Sequence, residues 1–224
     1  MSRLPVLVVL CTLAATAWAQ NPAPSPGPVI DTELAARMFR RGNVYSNLER
    51  YEEAIEEYRK AIAADPNFLD AIRNLANVYY FLERNDEARP LLARYVELQT
   101  EVTAGLIAAV STLGELERSA GDFEAALPYD LRAIELDPGN DSQVHVMANA
   151  YNNAGDADKA IEVYRAAILA MPENAFFDRS LGRILEQEDR LGEALAAYES
   201  AVAKDPDSEF YAGLVEATRR RLDR

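Results

Sequence analysis

An apolar stripe that returns at a fixed interval constrains this chain more than any other feature. In residues 51–66, YEEAIEEYRKAIAADP, it comprises Tyr51, Ala54, Ile55, Tyr58, Ala61 and Ile62. Those spacings mark one face of a helix. Asp65-Pro66 ends it, because the residue before a proline is pushed out of the helical region. The stripe returns as Ala157, Ala160, Ile161, Tyr164, Ala167 and Ile168 before Met171-Pro172. It returns again as Leu191, Ala194, Leu195, Tyr198, Ala201 and Val202 before Asp205-Pro206. Pro138, Pro172 and Pro206 follow one another at 34-residue steps. A unit of that length cannot bury its apolar face alone, so the period means a stacked repeat protein.

Composition narrows the chemistry. With 224 residues, 49% of them hydrophobic, the chain can bury one substantial core. Its net charge of −14 argues against a general nucleic-acid binder, which needs a basic face. One Cys and one His exclude an intrachain disulfide and a Cys/His zinc site. Neither a glycine-rich phosphate loop nor any other cofactor motif is present, so no cofactor or metal is expected.

Residues 1–19 have the pattern of a secretory signal. Arg3 is the positive start, Leu4 to Ala17 the apolar middle, and Ala17-Trp18-Ala19 a small-x-small cleavage site. The apolar run is short for a membrane anchor, and Leu10 precedes Cys11 where a lipoprotein needs a small residue. Cleavage after Ala19 would remove Arg3 and Cys11, leaving no membrane span and no thiol, which suits an oxidising compartment. The expected location is the periplasm or the cell exterior. Residues 20–34 follow as a proline-rich linker, with four prolines in QNPAPSPGPVI, an extended tether.

Five frames then fit: 35–68, 69–102, 107–140, 141–174 and 175–208. Each is read as helix, tight turn, helix and loop, with Gly121-Asp122 and Gly155-Asp156 as turns whose Asp caps the next helix. The residues at fixed frame positions resemble the tetratricopeptide repeat family. Position 8 is small (Gly42, Ala76, Gly114, Ala148, Gly182), as is position 20 (Ala54, Ala88, Ala126, Ala160, Ala194). Position 11 is aromatic in three frames (Tyr45, Tyr79, Tyr151), position 24 in three (Tyr58, Tyr164, Tyr198), and position 32 is Pro66, Pro138, Pro172 and Pro206. The resemblance implies an all-α, right-handed α-solenoid of five tetratricopeptide helix pairs. Residues 209–224 add a C-terminal capping helix, with Phe210, Leu214 and Ala217 covering the end of the stack.

Frame 3 breaks the pattern. Thr103 to Leu106 are extra, no proline closes frame 2, and Glu117 and Asp130 occupy core-type positions that hold tyrosines elsewhere. Two adjacent buried carboxylates would form an acid/base pair. The alternative is a shifted register in which Leu106, Val110, Leu113 and Leu116 make the apolar face and Glu117 turns outward. That alternative is preferred, because no nucleophile or ligand set accompanies the acids. Frame 3 is also a place where the stack can bend. Pro90 and Pro128 are read as features of helix starts, where amides lack partners.

The resemblance also implies a concave groove lined by the first helix of each pair. Carried over position by position, it gives Asn43, Asn77, Tyr80, Phe81, His145, Asn149, Asn152, Phe176, Arg179 and Arg183, with Asn74 beside them. Arg73, Arg118, Arg179 and Arg183 balance Asp70, Glu115 and Glu186 there, so the acidic excess lies elsewhere. Asn both donates and accepts, which suits the backbone of an extended peptide, and the aromatics supply apolar anchors. The family's clamp for chaperone tails needs cations where Phe39, Ala108 and Thr112 stand.

The expected function is a non-catalytic interaction adaptor of the cell envelope, binding a protein or extended peptide in this groove. The alternative is a structural subunit of an envelope assembly that uses its outer face or stack ends. An enzyme would rest on Glu117, Asp130 and His145 alone. The sequence leaves the oligomeric state open.

Overall fold

The computed structural model describes residues 30–224. The expected signal sequence and residues 20–29 of the expected linker lie outside the described residues. Within them are eleven helices: α1 (Thr32–Asn47), α2 (Tyr51–Ala64), α3 (Leu69–Phe81), α4 (Asn85–Leu98), α5 (Ala104–Ser119), α6 (Phe123–Leu136), α7 (Asp141–Asn153), α8 (Ala157–Ala170), α9 (Ala175–Gln187), α10 (Leu191–Lys204) and α11 (Glu209–Leu222). They form five pairs, each stacked on the last, with α11 closing the series on α10. The fold is the all-α right-handed solenoid with a cap helix that the repeat implies.

The pairs close because small residues on the first helix make room for rings on the second. A Cβ at Gly42 or Gly182 would fall 2.5 Å from Cε1 of Tyr58 or Tyr198. Both rings are essentially fully buried, as is Tyr164. The turn inside each pair has one fixed demand. Its second residue takes a positive φ in every repeat: Glu49 (57°), Glu83 (58°), Gly121 (80°), Gly155 (85°) and Asp189 (56°). Asp122 and Asp156 cap the following helices, accepting from the amides of Ala125 (2.9 Å) and Lys159 (3.2 Å).

Several details differ from the sequence reading. The first helix begins at Thr32, where Asp31 accepts from the Leu34 amide at 2.9 Å, so residues 32–34 are helix and not linker. The extra residues before frame 3 are not a loop. Thr103 caps α5, and Ala104 to Leu106 form its added first turn, with Leu106 buried. Pro90 and Pro128 lie at the sixth residue of α4 and α6, past the free amides of the helix start, yet both helices run on through them. In the cap, Val215 and Thr218 are buried, whereas Phe210 and Ala217 face out. The helical period therefore runs one residue later than the expected stripe.

The junction after the third pair also departs from the others. Here α6 packs mainly on α8 and touches α7 only slightly. A cleft of about 550 Å³ opens between α5 and α7, lined by Ser111, Arg118, Ser142 and Val146 among others.

Candidate functional site

The groove is built on the core, because the second-helix tyrosines reach through to it. The Tyr58 hydroxyl donates to Asn43 Oδ1 at 2.7 Å, and the Tyr198 hydroxyl to Glu186 Oε2 at 3.0 Å. The Tyr164 hydroxyl lies 2.8 Å from His145 Nδ1. Burial, then the charges of Arg183 and Arg179, lower the His145 pKa below its usual value. The ring is therefore neutral near pH 7, with Nδ1 hydrogen-bonded to the phenol. His145 is thereby a groove residue held by the core.

In the third pair Asp130 stands in the tyrosine's place. It is fully buried, receives the Tyr151 hydroxyl at 2.7 Å and is paired with Arg118. Burial and the bond to Asp130 raise the Tyr151 phenol. Glu117 does not turn outward as expected. Its side chain is 13% exposed, and Arg89 Nε from α4 lies 2.9 Å away, angled as an ion pair and not a hydrogen bond. Each acid thus has its own arginine. The shared-proton arrangement of an acid/base pair is not what this site holds.

The candidate groove residues fall into two clusters with a bridge between them. In the first, Asn43 Oδ1 also accepts from Asn74 Nδ2 at 3.0 Å, which joins two repeats. Beside them Asn77 and Phe81 are open, Phe81 being 65% exposed. Together with Ser46, Tyr51 and Tyr58, they rim a depression of about 400 Å³. Tyr80 follows on the same helix, its hydroxyl donating to Glu115 Oε2 at 3.1 Å.

The second cluster is cationic and aromatic. The His145 and Phe176 rings lie 5.6 Å apart, edge to face. The Arg179 guanidinium stands 5.0 Å above Phe176 and 5.9 Å from Phe210. Arg183 donates to Asn149 Oδ1 at 3.3 Å, and Asn152 reaches Gln187 at 3.5 Å. The asparagines are therefore partly engaged in joining neighbouring repeats. Asn77 is the fully open one among those singled out.

Two groove residues escaped the sequence reading. Tyr51 packs against Phe81 with ring centres 5.0 Å apart and planes tilted by 46°. Phe210 completes the arginine sandwich. Extending the 34-residue frame once more would have found it, since Phe210 then takes the position of Phe176.

A stack of helix pairs presenting a groove of amides, aromatics and arginines is an adaptor for protein–protein interaction. Family models agree. A TPR repeat model matches residues 42–82, and two tetratricopeptide repeat models match 68–138 and 145–209. The chain belongs to the tetratricopeptide repeat family. It is similar to human protein O-mannosyl-transferase TMTC1, 27% identical over 187 residues, which cover 82% of this chain and 20% of the transferase. It is also similar to the peroxisomal targeting signal receptor of Eremothecium gossypii, 28% identical over 168 residues, 75% of this chain and 29% of the receptor. The chain spans less than a third of either relative, so neither activity follows for it. Among solved structures, a MamA protein superposes with a TM-score of 0.54 at 25% identity, covering 78% of this chain and 93% of that one.

Proposed function

We propose that this chain is a non-catalytic adaptor of the cell envelope that captures an extended peptide segment of a partner protein in its groove. The observation that carries this reading is the open Phe81, packed at a tilt against Tyr51 beside the free amide of Asn77 at the rim of a depression. An exposed aromatic next to an unpaired amide offers an anchor for a side chain and a partner for a peptide bond. The cationic cluster around Arg179 and Arg183 would take the other end of the segment, where an acidic or aromatic residue fits best. The signal pattern of residues 1–19 supports export.

The test is a crosslinked pull-down from envelope extract with the chain and with Asn77→Ala/Phe81→Ala. Loss of the partner in the variant supports groove capture. A partner retained by both forms moves the interface to the outer face or the stack ends, and with it the function to that of an assembly subunit. Cleavage after Ala19 is tested separately, by N-terminal sequencing of the exported protein, which should begin at Gln20. A protein retaining residues 1–19 in the cytoplasm would contradict the envelope assignment.

A further inference from the structure

Three first helices, α3, α5 and α9, offer one face to the helix pair before them, whereas α7 leaves part of that face on the cleft beside α5. On α3 that face carries Ala71, Leu75 and Val78, on α5 Ala109, Leu113 and Leu116, and on α9 Phe177, Leu181 and Ile184, all buried. The preceding second helix covers each face in turn. The same three frame positions on α1 hold Arg37, Arg41 and Val44, with Leu48 one turn further along. This face is open: both arginines are exposed, Val44 is 57% exposed and Leu48 60%. Arg40 and Arg50 flank it, and the surface dips by about 440 Å³ between them.

A face that served only to end the stack would be polar throughout. This one keeps an apolar pair in the stripe where other repeats seat a helix. The charged residues that line it are all arginines, on a chain whose net charge is −14. Arg41 shares Glu57 at 3.4 Å, and Arg50 is paired with Glu53, but Arg37 and Arg40 have no acidic partner among the described residues. We infer that the open face of α1 docks an acidic amphipathic helix of a partner protein. Its apolar stripe would cover Val44 and Leu48, and its acids would meet Arg37, Arg40 and Arg41.

Charge decides against the nearer occupants. End-on stacking of a second copy would bring this face to α11, where Arg219, Arg220 and Arg221 already pair with Glu199, Glu216 and Glu186, so those acids are taken up and do not match Arg37 and Arg40. Residues 1–29 contain no Asp or Glu to match the arginines. The surface is separate from the groove, and its test can fail while groove capture stands.

The test uses the full chain and two fluorescent designed helices of about 20 residues, about 30 Å long. Both carry Leu at i, i+3, i+4 and i+7. One is flanked by Glu and its twin by Lys. The expected result is binding of the Glu helix, not of the Lys twin. Arg37→Glu/Arg40→Glu should weaken it by at least about tenfold, about 1.4 kcal/mol, while the Lys twin gains affinity. Equal binding of the twins, or no binding, would overturn the proposal. So would loss of the Glu helix in Asn77→Ala/Phe81→Ala, which would put the probe in the groove. Two further outcomes would overturn it in favour of other occupants. One is sedimentation with phosphatidylglycerol vesicles that Arg37→Glu/Arg40→Glu abolishes while the Glu helix goes unbound. The other is a dimer of the chain that the same variant dissociates.

Discussion

At the scale of single residues, neighbours decide what a glycine is for. Gly42 sits against Tyr58, and a methyl there would fall 2.5 Å from the ring. Gly213, in the middle of α11, has nothing within 4 Å of the same position. Gly213→Ala should therefore stabilise the chain by about 1 kcal/mol through helix propensity. Gly42→Ala should destabilise it by about 1–3 kcal/mol, because overpacking outweighs that gain. Urea midpoints of the two variants check this, and equal shifts would contradict it. His145 gives the second residue-scale prediction. Its folded pKa lies below the unfolded value, so the unfolded chain takes up the proton first as pH falls. The stability carried by the neutral ring is present above about pH 6.5 and lost below it. The chain should thus lose more stability between about pH 7.5 and 5.5 than His145→Gln does. Parallel profiles would mean that the ring is not held neutral by burial and the arginines.

Much at this scale was legible because repetition supplied it. Tyr58, Tyr164 and Tyr198 stand out as core residues by their common frame position. Their hydroxyls could not be followed, because the bonds to Asn43, His145 and Glu186 depend on how far each ring reaches across the pair. Asn43 and Asn74 read as two free amides for the same reason. Their bond joins residues from adjacent repeats, a contact that only the stacking distance creates. Glu117 reads as outward-facing because its partner, Arg89, comes from α4 in the repeat before, a pairing that only the packing of α4 on α5 creates.

At the scale of elements, the recurring demand is the left-handed residue in each turn between paired helices. Gly121 and Gly155 meet it without strain, whereas Glu49, Glu83 and Asp189 have a Cβ in that conformation. Relief of about 1–2 kcal/mol of strain competes with the larger entropy that glycine loses on folding, about 0.5–1 kcal/mol. Glu83→Gly should therefore raise stability by up to about 1 kcal/mol, and Gly121→Ala should lower it by a similar amount. Thermal melts of the pair test it, and a stabilised Gly121→Ala would contradict the assignment. The third pair is the element where substitution of one core acid matters most. Asp130→Ala leaves the Arg118 guanidinium without its buried partner and should cost about 3–5 kcal/mol. A loss under 1 kcal/mol would show that water already reaches Arg118 through the cleft between α5 and α7.

For the molecule as a whole, charge and shape are divided. Acids crowd the second helices and turns, while arginines collect in the groove near α9 and at both ends of the stack. The concave surface is nearly neutral in sum but not in layout: amides and open aromatics lie at α1–α3, cations and aromatics at α9–α11. A segment lying along it would thus have a direction. The most direct test of groove capture is site-specific photocrosslinking in the envelope, with the reactive side chain placed at Phe81, at Phe176, and at Leu169, which is 83% exposed on α8. The account predicts that Phe81 and Phe176 crosslink one extended segment of the same partner at two points along its sequence, and that Leu169 does not. Crosslinks to that partner from Leu169 alone would contradict it.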